Sequence, residues 1–172
     1  MNKEFEESGM TFSFPEENVF LIEKARLIEK AEGFSACECV ALLNEEDVAF
    51  IEAKNSIPKS ADAKEQVDIF VDKIQRKFAD TLTVFHAILL RHNAEEVPER
   101  LQEPKVTSLN YKLFLIVNGA EHQQCAMLCN VLRNKLRGLR KVWRIEDRWI
   151  KVVNDRMARD MGLIVDSNGA KE

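Results

Sequence analysis

Apolar residues recur at three- and four-residue steps between Val67 and Leu89: Val67, Phe70, Val71, Ile74, Phe78, Leu82, Phe85, Ile88 and Leu89. This period is helical. It predicts one long helix from a cap at Ser60, with Asp62 in the first turn, to about His92. At about 1.5 Å per residue it would run roughly 45 Å, enough to cover a whole sheet. Asn18–Glu23 reads as a short buried strand, and Lys24–Glu32 as a short helix closed by Gly33. Cys37–Leu43 and Val48–Lys54 read as two strands of a hairpin, with turn chemistry in Asn44-Glu45-Glu46-Asp47 between them.

Beyond the long helix, residues 93–110 carry Pro98 and Pro104 and no period, an unusually long connection. Tyr111–Val117 reads as a strand. Asn118 and Glu121 form a capping-box pattern for a helix with Cys125, Leu128, Cys129, Leu132, Leu136 and Leu139 on one face and Gly138 near its end. Val142–Ile145 and Trp149–Val153 are two further strand candidates, and Asp155–Met161 suits a last helix closed by Gly162. The order β-α-β-β-α-β-α-β-β-α predicts an α/β (α+β) fold, a mixed central β-sheet flanked by helices.

With 172 residues, 45% of them hydrophobic and 31% charged, the chain has room for one domain with a real core. We place that domain at 18–165. An acidic, flexible arm covers 1–17, partly pinned by Phe12 and Phe14, and a tail covers 166–172. No apolar run approaches the length a bilayer demands. The N-terminus is acidic rather than basic-then-apolar, so the expected location is the cytoplasm and the four cysteines are expected to be thiols.

The net charge of −4 hides an asymmetry. Residues 1–50 hold four basic and twelve acidic residues, whereas residues 133–159 hold ten basic and three acidic ones. Only a docking face must neutralise phosphates. The basic segment, 133–151, with Arg133, Arg137, Arg140 and Lys141, is therefore the candidate nucleic-acid contact. The plainer reading is a solvated helix face.

The informative chemistry lies in the hairpin. Glu52 and Lys54 end the apolar strand Val48-Ala-Phe-Ile-Glu-Ala-Lys54, and residues two apart share a face. Charges on a buried strand are costly unless they pair or act. Glu38 opens the preceding strand. Two carboxylates converging on one point can hold Mg²⁺ or Mn²⁺, and a neighbouring lysine can orient a nucleophile towards a phosphodiester.

Glu38, the strand ending Glu52-Ala53-Lys54 and the helix after it resemble the PD-(D/E)XK, or restriction-endonuclease-like, nuclease superfamily. The resemblance spans residues 18–118 in element order. It rests on three residues and departs at the first acid, where Cys37-Glu38 stands in place of Pro-Asp. The resemblance implies a restriction-endonuclease-like sheet and a Mg²⁺-dependent (or Mn²⁺-dependent) nuclease. Glu38 and Glu52 would be metal ligands, Lys54 would be the catalytic lysine, and Glu23 would be an additional acid, with Glu29 and Glu32 as substitutes. It also implies a sharp condition. A plain even turn centred on Glu45-Glu46 pairs residue 43 with 48 and 38 with 53, which places the two carboxylates on opposite faces. A shared site requires an odd turn, a bulge or a shifted pairing.

The second reading is a non-catalytic protein-interaction subunit on the same scaffold, or a homodimer, with Trp143 and Trp149 in its surface. The cysteine spacing is not that of a zinc ribbon. His86 and His92 read as surface or core-edge residues, His122 as a polar first-turn residue of the next helix, and no glycine-rich phosphate loop is present.

Overall fold

The computed structural model describes residues 1–58 and 63–166. The expected cap at Ser60, the first-turn Asp62 and most of the 166–172 tail lie outside the described residues.

The first 17 residues differ from the expected arm. Strands β1 (Asn2–Glu7) and β2 (Met10–Pro15) form an antiparallel hairpin. Phe12 and Phe14 are buried, so alternation along β2 was the signal that outweighs the acidic composition. The hairpin turns at Gly9, whose φ is +72°, and a Cβ there would meet Asn118 Nδ2 at 2.9 Å. Asn118 Nδ2 donates to the Ser8 carbonyl at 3.0 Å, so it ties the hairpin tip rather than capping a helix.

The next strand, β3, is only Val19–Phe20; the chain then makes a 3-10 turn over Ile22–Lys24 and a one-turn helix α1 (Arg26–Lys30). Strands β4 (Cys39–Leu42) and β5 (Asp47–Lys54) form the expected hairpin, and helix α2 (Ala63–Leu89) follows. The proline-containing connection contains a short helix α3 (Glu99–Gln102) and a 3-10 turn over Pro104–Ser108, and it buries Val97, Leu101 and Val106. Strand β6 (Asn110–Val117) leads to helix α4 (His122–Lys135), which is capped three residues later than expected: Glu121 and Gln124 form the capping box.

No strand forms at 142–145: Val142 and Trp143 end helix α5 (Arg137–Trp143), Arg144 closes it in the left-handed region, and Ile145 follows the helix. Gly138 has open space around it and does not end the helix. The helical frame sets Trp143 against His86, ring centroids 4.4 Å apart, so Trp143 and its half-buried counterpart Trp149 pack on the core. Strand β7 (Ile150–Asn154), helix α6 (Asp155–Asp160) and strand β8 (Ile164–Val165) complete the chain.

The main sheet is mixed, in the order β3-β4-β5-β6-β7. β3, β4 and β5 are antiparallel neighbours, and β5, β6 and β7 are parallel. Parallel pairing demands crossovers, and α2 and α4 supply them. Their faces meet one side of the sheet through Phe50, Phe78, Phe85, Leu113, Leu115 and Leu128. The second sheet, β1-β2-β8, and α6 cover the other side through Phe12, Phe14, Ile51, Phe114, Ile116 and Ala158. Even-numbered residues of β5 therefore face α2 and odd-numbered ones face the hairpin. Among the described residues no helix is long and apolar enough to cross a membrane.

Candidate metal centre

The β4–β5 register decides where Glu38 points. Cys39 pairs with Ile51, Val40 with Phe50, Ala41 with Ala49 and Leu42 with Val48. The Leu43 amide donates to the Asp47 carbonyl at 2.9 Å, leaving Asn44, Glu45 and Glu46 as the turn. The turn is odd. Asn44 holds it: its Oδ1 accepts from the Glu46 amide at 2.8 Å, and its Nδ2 donates to Asp47 Oδ2 at 2.9 Å. Continued by one residue, this register sets Glu38 opposite Glu52, both on the face covered by α2.

Helix α2 also fixes the approach to β4. The Ser35 amide donates to Asp80 Oδ2 at 2.9 Å, and the Cys37 amide donates to Thr81 Oγ1 at 2.7 Å. The Thr81 hydroxyl itself donates to the Lys77 carbonyl. One turn before Thr81, the side chain of Lys77 enters the carboxylates. Its Nζ is 3.0 Å from Glu52 Oε1 and 3.1 Å from Oε2, 3.5 Å from Glu23 Oε1 and 3.9 Å from Glu38 Oε1. Lys54 Nζ lies 2.5 Å from Glu52 Oε1.

Burial sets the electrostatics. Glu52 is 0% exposed and Glu38 is 7% exposed, whereas Lys54 is 33% exposed. Two ammonium groups stand close to the buried Glu52 Oε1, so its charge is paired although water does not reach it. Burial raises the Glu52 carboxyl above its usual range, and Lys77 and Lys54 oppose that rise. Glu38 is pushed up to about 9, first by burial, then by the carboxyl of Glu23, the charge of Glu52 and the carboxyl of Glu7. Burial acts against ionisation of Glu23 too, but its bond to Glu38 and the Lys77 charge outweigh it and hold Glu23 low. Within this pair a proton is favoured on Glu38, the more buried of the two. Lys77 is held well above the usual lysine range, because the charges of Glu52, Glu38 and Glu23 outweigh its own burial.

The carboxylate oxygens of Glu7, Glu23 and Glu38 lie within 4.8 Å of one another. Such an all-oxygen set suits a hard divalent cation. Fully ionised, Glu7, Glu23, Glu38 and Glu52 exceed Lys54 and Lys77 by two negative charges, the deficit one such cation fills. The candidate site residues Glu23, Glu38, Glu52 and Lys54 are brought together. Glu52 is not part of that oxygen triad; its ion pairs are with Lys54 and Lys77.

No family model matches this chain, and no curated protein or solved structure matches it either.

Glu7 and Lys77 were not among the residues singled out from the sequence. Glu7 gave no local signal. Lys77 did give one: it falls in phase with Ile74, Phe78 and Thr81 on the buried face of α2, where a lysine requires partners. The basic segment is less uniform than its charge suggests. Arg133 donates from Nε (3.2 Å) and Nη2 (2.9 Å) to the Ile150 carbonyl. Arg140 donates to the Ile145 carbonyl at 3.3 Å and pairs with Asp147 at 2.6 Å. Arg137 and Lys141 are exposed. The four cysteines are buried thiols; burial raises Cys37 and Cys39 strongly.

Proposed function

We propose that the protein is a divalent-metal-dependent nuclease or nuclease-like domain of the restriction-endonuclease-like kind, acting on phosphodiesters through Glu38 and the Glu52-x-Lys54 strand. The observation that carries this reading is the odd turn of the β4–β5 hairpin, which sets Glu38 and Glu52 on one face with Lys54 beside them. The sheet order, antiparallel before the Glu-x-Lys strand and parallel after it, supports the same reading.

In this reading Glu38, Glu23 and Glu7 hold Mg²⁺ or Mn²⁺ and Glu52 closes the site from its buried side. The bound ion supplies a concentrated positive charge against the charge that builds on a scissile phosphate. Lys54, anchored by Glu52 and reaching solvent, orients a phosphate oxygen and adds a second positive charge. Exposed Arg137, which donates only a long 3.4 Å bond to Asn134 Oδ1, and exposed Lys141 are basic side chains that can follow a nucleic-acid backbone, which positions without reading sequence.

The test is nicking of supercoiled plasmid in Mn²⁺ by the wild type, Glu52→Ala and Lys54→Ala. Wild-type nicking with a loss of about 100-fold or more in both variants supports the reading. Equal cleavage, or none by any of the three, contradicts it. A second reading, a non-catalytic interaction subunit, is favoured by the position of Lys77, whose ammonium already neutralises part of the carboxylate cluster.

A further inference from the structure

We propose that Lys77 is a built-in rival of the divalent cation for these carboxylates, a positioning residue through which α2 sets the metal affinity of the site; this inference rests on the metal-dependent reading above.

Lys77 reaches carboxylates from three separate segments: Glu23 on the 3-10 turn, Glu38 before β4 and Glu52 on β5. Its grip is uneven. Both Glu52 oxygens lie within 3.1 Å, whereas Glu23 and Glu38 lie at 3.5 and 3.9 Å. Glu23 and Glu38 are therefore held more loosely by the ammonium than Glu52 is, and their oxygens lie within 4.8 Å of each other and of Glu7.

A divalent cation drawn to Glu7, Glu23 and Glu38 would share two of its ligands with Lys77 and feel a like charge across them. Lys77 and Glu38 are 16% and 7% exposed, so on their side water screens that repulsion less than at an open surface, while Glu7 and Glu23 are half-buried and leave the cation a way in. The ammonium has somewhere to go, because it is anchored on Glu52 and sits on a flexible four-carbon stem. Its backbone does not move with it, since the Lys77 carbonyl is held by Thr81. Lys77 thus lowers metal affinity without closing the site, and it keeps Glu52 in place when the cation is bound. The other charged groups around these carboxylates are Lys54 on β5, which pairs with Glu52 and whose charge also reaches Glu23, and Glu7 on β1, which stands with Glu23 and Glu38.

The experiment is Mn²⁺ binding by isothermal titration calorimetry to the full chain as wild type, Lys77→Met and Lys77→Arg. Met keeps the stem and removes the charge; Arg keeps the charge. The expected result is binding tighter by roughly tenfold or more in Lys77→Met, with Lys77→Arg close to wild type. Equal or weaker binding by Lys77→Met overturns the proposal while leaving the metal-dependent reading intact. If the wild type itself binds no Mn²⁺, that reading fails and this inference with it.

Lys77→Met removes a partner of a buried carboxylate, so a second measurement uses the wild type alone. Reductive methylation of Lys77, followed by peptide mass mapping, should accelerate several-fold when Mn²⁺ is added, as the ammonium is released from Glu23 and Glu38. An unchanged or slower rate overturns the proposal.

Discussion

Glu38 stands opposite Glu52 across the β4–β5 hairpin because the turn between those strands has an odd number of residues. A turn one residue shorter or longer would send one of the two carboxylates to the opposite face, against Phe12 and Ile116. The whole site depends on this register, and Glu52 is its most buried member.

Glu52→Gln keeps the shape and removes the charge that holds Lys54 and Lys77. Two ammonium groups would then face one another with the remaining carboxylates on one side only. The expected loss is about 3 kcal/mol of unfolding free energy, the usual scale for breaking a buried ion pair from one end. Urea denaturation measures it. A loss below about 1 kcal/mol would show that solvent, not Glu52, supports the two lysines.

Thr81→Val preserves volume and removes the hydroxyl that accepts the Cys37 amide. That amide is buried, so the expected cost is about 1–3 kcal/mol. Because Cys37 directly precedes Glu38, the same substitution should weaken Mn²⁺ binding. Unchanged stability together with unchanged Mn²⁺ binding would mean that α2 does not position Glu38.

The pH dependence follows from Glu38. Its folded carboxyl titrates at about 9 against an ordinary 4.5, so across that interval the folded chain keeps a proton that the unfolded chain has released. Stability from this group is complete below the lower value and is lost as pH rises through the upper one. In metal-free buffer this group should make the unfolding free energy fall between about pH 4.5 and pH 9, and Glu38→Gln should flatten the fall. A rise over that interval that Glu38→Gln leaves unchanged contradicts the assignment.

The basic segment divides into two classes. Arg133→Ala removes two charged hydrogen bonds to the Ile150 carbonyl and should cost about 1.5–3 kcal/mol by urea denaturation. Arg137→Ala and Lys141→Ala should leave stability within about 0.5 kcal/mol and reduce the salt dependence of nucleic-acid binding in a fluorescence-anisotropy titration. Equal stability losses in all three would show that the segment is structural throughout.

Some of this was legible before the fold was known. The apolar period of α2 is long and regular, and α2 forms over Ala63–Leu89 as that period requires. The strand ending in Glu52 and Lys54 was legible because a charged pair closes an otherwise apolar run. The turn was not, since one residue more or less in Asn44–Asp47 leaves the same apolar pattern on either side. Glu7 was hidden because it joins the site only when the N-terminal hairpin folds over the sheet, a tertiary event with no local mark. Val142–Ile145 misled because a short apolar run reads equally as strand or helix, and in the helix that forms Trp143 packs at a tilt against His86.

Thermal melting with and without Mn²⁺ tests the central claim, that these carboxylates grip a divalent cation. Glu38→Gln imitates the protonated state of Glu38, so this variant should fold and serve as the comparison. At an Mn²⁺ concentration about 100 times the dissociation constant, the wild type should gain roughly 2.7 kcal/mol and melt several degrees higher. Glu38→Gln should gain little. A wild type that melts at the same temperature with Mn²⁺ as without it, or a variant that gains as much as the wild type, would contradict the account.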